Sequence, residues 1–381
     1  MHAREGAEIH RLVDVASLAG DIPLGPDHPT LDGLPSIALD LDAGVVTEAQ
    51  WIPGTVHRGA EKLFESRDYR QILMLVDRHD WLSAFCSEIG VVLGVERALG
   101  LTTPERAQHL RILLCELTRI AHHLAFLAPM PGDLPETWRA RGWAWRAEIL
   151  DLLEAATGHR VHPMFCQVGG VRGDVDADWV GRVAAAAGGW ASDPGGSLPA
   201  LDGPDLARVL DSSYAGVAVL GAGQALGYGA SGPVARASGI DLDLRRDDPY
   251  LPYPAFEVPT RTDGDARARI QVLVSELAPS IGLVAWAAHQ LAGSVGAPVE
   301  VRLPKVVRVP EGSSYTWTEN PAGINGYLLV SRNDRTPWRL KLRSAGFSNA
   351  AALGPALRGS EVADLPAAIA SFLLICGDVD R

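Results

Sequence analysis

The spacing of apolar residues predicts three long helices in the first half of the chain. Between residues 69 and 101, apolar side chains recur every three or four positions, as on one face of a helix. Thr102-Thr103-Pro104-Glu105 then predicts a second helix, with a threonine N-cap and an early proline, that runs to about Leu127. A third helix is predicted over Glu136–Thr157, with Gly158 as a left-handed cap. Together the three stretches indicate a helical bundle.

Shorter alternating patterns predict β-hairpins near both ends of the chain. Residues 36–41 and Val45–Ile52 flank the turn Asp42-Ala43-Gly44, and residues 326–332 and 338–344 flank a second turn. Further helices are predicted over residues 178–188, over residues 265–291 with a kink at Pro279, and over residues 364–375. The predicted fold is therefore α+β, mainly a helical bundle with small β elements at both ends.

Composition and charge narrow the classes of function. The 381 residues are 47% hydrophobic and 21% charged, enough for one large body or two ordinary domains. A net charge of −12 argues against nucleic acid and against direct attachment to anionic lipid. No apolar run reaches the roughly 18 residues that span a membrane, and the first 20 residues lack a targeting signal. We therefore expect a soluble or peripheral protein whose membrane contact comes through protein partners.

Two patterns imitate ligand sites without meeting the chemical requirements. Gly221-Ala222-Gly223 with Gly227 resembles a dinucleotide-binding turn, but the third glycine comes one residue late. Glycines and a proline also fill the following stretch, where the motif needs a helix, so we predict a loop there. The four cysteines form no C-x-x-C pair, which indicates reduced thiols and no cluster site; they are Cys86, Cys115, Cys166 and Cys376.

His109, Glu116 and His123 lie seven residues apart on one helix face. Metal ligands on a helix favour a spacing of three or four residues, whereas seven residues separate side chains by about 10 Å. We therefore interpret the three residues as a buried polar seam between helices. No serine or cysteine nucleophile can be paired with a base from the sequence, so these residues alone leave the function open.

Several ordered motifs resemble the D-type subunit family of NADH-quinone oxidoreductase, which is respiratory complex I. The resemblance covers residues 25–381 as one domain and leaves residues 1–24 as an N-terminal extension. The motifs that carry it are Gly25-Pro26-Asp27-His28-Pro29, His57-Arg58-Gly59-Ala60-Glu61-Lys62, Asp77-Arg78-His79-Asp80, Glu116-Leu117-Thr118-Arg119, Arg236-Ala237-Ser238-Gly239 and Gly377-Asp378-Val379-Asp380-Arg381. The resemblance implies a fold related to the large subunit of nickel–iron hydrogenases. Because both C-x-x-C pairs of those enzymes are missing here, nickel chemistry is excluded.

The resemblance also implies a setting for the chain. In the family this subunit holds no cofactor itself, while the complex uses NADH, flavin, iron–sulfur clusters and quinone. Expected partners are the cluster-bearing neighbour, the 30-kDa-type subunit and the membrane-arm subunits, on the cytoplasmic side of the membrane. We interpret most charged motif residues as a structural ion-pair network, comprising His57, Arg58, Glu61, Arg78, Asp80, Arg111, Glu116 and Arg119.

The residues that the resemblance assigns to quinone binding are His28, Asp32, Trp81 and Asp133. Asp32 stands where the family has a histidine, and Trp81 stands where it has a tyrosine, so the usual proton-donating pair is missing. An indole N–H donates one hydrogen bond but is no acid. We expect Asp32 and Asp133 to face each other and share a proton, because close like charges raise one pKa. The alternative is a divergent, non-catalytic structural subunit of a related membrane-associated redox complex.

Overall fold

The computed structural model describes residues 11–14, 28–32, 36–192 and 203–381. The motif residues Gly25-Pro26-Asp27, and most of the expected N-terminal extension, lie outside these ranges. In chain order, the first half contains β1 (Arg11–Asp14), β2 (Ser36–Asp42), β3 (Val45–Ile52), α1 (Ala60–Phe64), α2 (Leu73–Val76), α3 (Ala84–Leu99), α4 (Glu105–Leu127), α5 (Glu136–Thr157), β4 (Cys166–Gln167), β5 (Gly170–Val171) and α6 (Ala177–Ser192).

The second half adds helices and one more sheet. Its elements are α7 (Pro204–Ser213), α8 (Ala222–Tyr228), α9 (Gly232–Arg236), α10 (Leu244–Asp247), α11 (Ala266–Ala292), β6 (Gly312–Asn320), β7 (Gly323–Ser331), β8 (Arg339–Arg343), α12 (Ala345–Leu357), α13 (Leu365–Ala370) and α14 (Cys376–Asp380). The α+β prediction, with a helical body and small β elements near both ends, is confirmed.

Helix α4 lies at the centre of the helical body. It packs against α3, α5 and, most extensively, α11, while α6 covers the other side of α11. Nearly every residue of α4 from Arg106 to Leu127 is buried, so this helix is covered on all sides instead of having one solvated face. Its polar residues must therefore find partners inside the protein.

Three antiparallel sheets surround this body. The first has the order β1-β2-β3, so residues 11–14 of the expected extension form its edge strand. The tight turn between β2 and β3 places Ala43 at φ 48° and Gly44 at φ 85°, the left-handed pair that a two-residue hairpin requires. The second sheet pairs β4 with β5, and the third has the order β6-β7-β8. Strand β6 was not predicted from the sequence.

Several predicted elements are wrong in detail. The single helix over residues 69–101 is broken into α2 and α3, because Asp80 accepts a hydrogen bond from the Ser83 N–H and so favours a turn. The expected threonine cap is absent, since Pro104 itself occupies the N-cap of α4. The expected glycine loop contains helix α8, which starts directly after Gly221. The C-terminal helix is shorter than predicted, and Leu373 adopts φ 57° behind it.

Helix α11 begins at the capping Asp265 and continues through Pro279. By length and composition it is the one helix among the described residues that could cross a membrane, contrary to the expectation that no run is long enough. Within the structure, however, 61% of its most apolar window is buried against other elements.

Gly90 of α3 offers a test of the contact between α3 and the third sheet. A Cβ atom at this position would lie 1.9 Å from Cε2 of Tyr327, a buried residue of β7. We expect Gly90→Ala to reduce the free energy of unfolding by about 1–3 kcal/mol through overpacking. Denaturant midpoints of the purified protein would measure the change.

Gly181→Ala is the matched control, since a Cβ at this exposed position of α6 meets nothing within 4 Å. Helix propensity alone should then stabilise the protein by about 0.5–1 kcal/mol. Equal effects of the two substitutions would contradict the close packing of α3 on β7.

Candidate functional site

A network of charged side chains lies at the centre of the molecule. Helix α4 contributes Glu116 and Arg119, and the remaining members are Arg236, Asp243, Arg245, Glu276 and Glu319. Each of the seven side chains is at most 1% exposed. Such charges are tolerated inside a protein only when ion pairs and hydrogen bonds compensate for lost hydration.

Arg236 and Arg245 bridge the carboxylates of this network. Arg236 donates to Glu276 at 2.8 Å and to Glu319 at 2.7 Å. Arg245 donates to Glu116 at 2.8 Å and to Asp243 at 2.7 Å. The network therefore joins α4, α9, α10, α11 and β6, and it fixes the two short helices α9 and α10 between the long elements.

The pKa shifts in the network follow from burial opposed by these ion pairs. Burial would raise the pKa of Glu276, but Arg236 and the hydrogen bond from His123 lower it to about 2. For Glu319, burial and the neighbouring Asp243 together raise the pKa despite Arg236. Three guanidinium groups thus face four carboxylates.

The polar seam expected on α4 is present. His123 lies 2.9 Å from Oε2 of Glu276 on α11, and Glu116 binds Arg245, so both residues join α4 to other elements. His109 is buried and packs edge-on against Trp286 of α11, with ring centroids 5.2 Å apart. His122 completes the seam through its Nδ1, which lies 3.3 Å from Nδ1 of His123.

The C-terminal segment is fastened to the first hairpin and to the loop before α3. Asp380 accepts hydrogen bonds from the backbone N–H groups of Gly54 and Val56 at 2.6 and 2.8 Å. Asp378 accepts from the Gly346 N–H at 2.6 Å and pairs with His79 at 3.2 Å. Both carboxylates thus anchor α14 against structure from the first quarter of the chain.

Asp80 is a buried acid beside this anchor. Burial and the nearby Asp378 raise its pKa to about 7, although His79 and the hydrogen bonds from Ser83 act in the opposite direction. The carboxylate accepts from both the hydroxyl and the backbone N–H of Ser83. Asp80 is therefore a group whose charge changes near neutral pH, without solvent contact.

Two of the expected quinone-binding residues, Asp32 and Trp81, lie near the start of α14. The Trp81 ring lies so close to Gly377 that a Cβ there would be 2.2 Å from Cζ3. Burial, and after it the charges of Asp380 and Asp32, raise the pKa of Cys376 to about 12, and burial raises the pKa of Asp32 itself. Trp81 therefore lies against Gly377, and Asp32 lies within electrostatic range of the neighbouring Cys376.

His28 lies at the start of the short turn that ends at Asp32. Asp32 ends the one-turn 3-10 helix Pro29–Leu31, and His28 caps its start by accepting from the Thr30 N–H at 3.3 Å. His28 is buried against Phe126 of α4, and burial lowers its pKa to about 3. The imidazole is therefore neutral, and because Nδ1 accepts, Nε2 carries the proton.

Asp133 occupies a different environment. Its side chain is 94% exposed and pairs with Arg208 of α7 at 3.3 Å. The raised pKa of Asp32 has burial as its cause and not the charge of Asp133. The expected pair of Asp32 with Asp133 is therefore not observed among the described residues.

The charged motif residues form separate groups and not one network. Arg111 pairs with Glu96, and Glu61 accepts from Arg339 and Lys341. His57 contacts the Asp380 carbonyl oxygen at 2.7 Å, while Arg78 pairs with Asp77. Arg58 is exposed. Of the predicted set, only Glu116 and Arg119 belong to the central network. Its other members come from α9, α10, α11 and β6, which the motifs on α4 do not indicate.

The network members outside α4 were not predicted from the sequence. Glu276 lies within the long apolar helix α11, and Arg236 lies in a glycine-rich segment. A charge inside an apolar helix was the available signal, because such a residue is rarely buried without a partner. The four cysteines are free and buried, and the described ranges contain no group of three or more histidine, cysteine or acidic residues that could hold a metal ion.

Comparisons with known proteins show what the chain resembles. A model of the family described as respiratory-chain NADH dehydrogenase, 49 Kd subunit, matches residues 136–307 and 299–381. A D-type subunit of the NADH-quinone oxidoreductase of Salinispora tropica is 48% identical, over 94% of this chain and 92% of that protein. The D-type subunit of Carboxydothermus hydrogenoformans is 34% identical, over 94% of this chain and 98% of that protein.

A solved structure extends the resemblance to three dimensions. A chain of the membrane-bound sulfane sulfur reductase, described as an archaeal respiratory membrane complex, superimposes with a TM-score of 0.86. The alignment covers 98% of this chain and 99% of the other, at 27% identity.

Glu276→Gln tests the importance of the central network. The substitution removes one buried charge and leaves Arg236 with a weaker acceptor, so we expect a loss of about 3–5 kcal/mol in the free energy of unfolding. Denaturant titration of the purified protein would measure it. Glu48→Gln, at an exposed pair with Arg358, is the matched control and should cost about 0.5 kcal/mol or less. A loss at Glu276 as small as that of the control would contradict a structural role.

Asp80 should make stability depend on pH. Because its pKa is higher in the folded than in the unfolded protein, the folded state holds more protons between about pH 4 and 7, and stability falls as pH rises through this range. The free energy of unfolding of Asp80→Asn, relative to that of the unmodified protein, should therefore be about 1–3 kcal/mol more favourable to the folded state at pH 8 than at pH 5. Unfolding curves at both pH values measure this, with the exposed Asp211→Asn as control; parallel pH dependences would refute the expectation.

Proposed function

Since the chain belongs to the family of the 49 kDa subunit of respiratory-chain NADH dehydrogenase, we propose that it is a peripheral-arm subunit of a proton-translocating NADH-quinone oxidoreductase. In this role it helps to form the cavity in which quinone accepts electrons. The proposal is supported by relatives named as D-type subunits of NADH-quinone oxidoreductase, which align over 94% of this chain.

The observation that carries the proposed site is that Trp81 lies against Gly377 while Asp32 lies within electrostatic range of the neighbouring Cys376. These two positions are the ones at which the family has its quinone-binding histidine and tyrosine. Gly377 allows the close approach, because any side chain there would collide with Trp81 and with the carbonyl oxygen of His79. The C-terminal motif thus has a physical reason to contain glycine at this position.

Asp32 and Trp81 have different roles toward a quinone oxygen in this proposal. The Trp81 indole N–H donates a hydrogen bond to the oxygen but keeps its proton. Asp32 has a raised pKa and supplies a proton at a higher pH than an ordinary carboxyl group. In this proposal Asp32 takes over proton donation without Asp133, and His28 supports the turn from beneath.

A neighbouring subunit must complete the cavity. The cavity beside Trp81 measures only about 30 Å³, far below the usual size of a ligand site, and its lining contains neither Asp32 nor Gly377. We therefore propose that this chain forms one wall and that the cluster-bearing neighbour forms the other.

The proposed complex places every cofactor outside this chain. NADH, flavin and the iron–sulfur clusters belong to other subunits, and this chain holds none of them itself. Its further partners are the 30-kDa-type subunit and the membrane-arm subunits, which it meets on the cytoplasmic side of the membrane.

A second candidate is a structural subunit of a related membrane-associated redox complex that has lost quinone chemistry. Two observations favour it. Both usual quinone ligands are exchanged at Asp32 and Trp81, and the solved neighbour is named for sulfane sulfur and not for quinone. The same scaffold would then serve to hold other subunits in place.

The double variant Asp32→His, Trp81→Tyr separates the two candidates. Because it restores an imidazole and an acidic phenol, we expect the NADH-to-quinone rate to rise by roughly tenfold or more if the cavity binds quinone. The assay uses the complex purified through a tag on this chain from gently solubilised native membranes, with partners identified by mass spectrometry.

The matched control exchanges the same residue types at exposed positions, Asp211→His with Trp338→Tyr. If the double variant forms an intact complex but its NADH-to-quinone rate is unchanged, the structural subunit would be favoured. Purification without any partner would remove both candidates.

A further inference from the structure

The third sheet presents one face to solvent and packs the other against α3. On the packed side, the Thr316 hydroxyl donates to the Gly90 carbonyl oxygen, and the Ser314 hydroxyl donates to that of Gly94. The opposite side is here called the open sheet face. Strand register places its side chains in cross-strand rows, which contain Tyr315, Trp317, Leu328, Val330, Arg339 and Lys341.

The open sheet face is more apolar than a solvated surface requires. Antiparallel sheets with one wet face normally alternate apolar residues inside with polar residues outside. Here Tyr315 is 46% exposed, Trp317 39% and Leu328 37%. Tyr315 and Leu328 are direct cross-strand partners, and the Tyr315 and Trp317 rings lie 6.0 Å apart. The three side chains form one contiguous patch.

The border of this patch on β8 is cationic. Lys341 lies directly opposite Leu328, and its side chain is 48% exposed; Arg339 is 38% exposed. The acids that pair with them, Glu61 and Glu65, are only 15% and 21% exposed. On this border the cations are more exposed than the acids that pair with them. At the opposite edge of the patch, the exposed Asp248 accepts a hydrogen bond from the Trp317 indole N–H at 2.6 Å. The β8 border is therefore the side of the patch on which carboxylates of a partner would find cations.

We propose that the open sheet face docks another subunit of the complex through a segment whose apolar side chains are flanked by carboxylates. The inference rests on the proposed function, which makes this chain one of several subunits. Tyrosine, tryptophan and arginine are enriched at protein interfaces, and complementary charge selects the partner. An anionic membrane surface would instead call for a cluster of about four to eight lysines or arginines.

Photo-cross-linking in the intact membrane complex tests the surface directly. Benzoylphenylalanine placed at Leu328 should form an adduct with a different polypeptide, at a segment that contains both apolar and acidic residues. Mass spectrometry of the adduct identifies the segment. Adducts only with lipid or with a second copy of this chain would overturn the proposal.

Charge complementarity is tested by two substitutions at one position. Leu328→Glu and Leu328→Lys remove the same apolar contact, but only glutamate repels an acidic partner. We expect the glutamate variant to bind the cross-linked partner about tenfold more weakly than the lysine variant at low salt, with the difference shrinking at high salt. Unchanged thermal midpoints show that both variants fold.

Equal affinities of the two variants would overturn the acidic nature of the partner. The outcomes also separate this inference from the function on which it rests. An active complex in which the Leu328 probe forms no adduct overturns the docking surface alone, whereas the absence of any partner overturns both.

Discussion

Seven charged side chains without solvent contact set the constraint that the rest of the structure obeys. Each of them would cost several kcal/mol if it were buried alone, so the elements that carry them must come together for the charges to be compensated. Helix α4 supplies Glu116 and Arg119, and the partners arrive from α9, α10, α11 and β6. The folded arrangement gives each of the seven side chains at least one oppositely charged partner.

The position of the candidate site follows from this constraint. Helix α4 carries the network in its middle and Phe126 near its end, and Phe126 supports His28 beneath the turn that presents Asp32. From the other side, α14 is fixed by Asp378 and Asp380 and brings Gly377 against Trp81. The site is therefore assembled from the two ends of the chain, each held by buried polar contacts to the helical body.

Local patterns predicted the elements whose causes are local. The β2–β3 hairpin follows from its two-residue turn, and α5 begins and ends as its proline and glycine indicate. The break before α3 depends on the side chain of Asp80, which apolar spacing does not register. The central network could be predicted only in part, because Arg245, Glu276 and Glu319 lie 129 to 200 residues from their partners in α4. Pairing at such distance is decided by the tertiary fold.

The two residues proposed to face the quinone, Asp32 and Trp81, lie outside the central network. Neither side chain takes part in its ion pairs, so substitutions at these two positions remove no charge from the network. Helix α3 connects the proposed site around Trp81 with the third sheet. Its start follows the Trp81 loop, while Gly90 and Gly94 lie against the sheet whose other face is open. Strands β6 and β7 rest directly on this helix, so a single element contacts both the sheet with the proposed docking surface and the loop that holds Trp81.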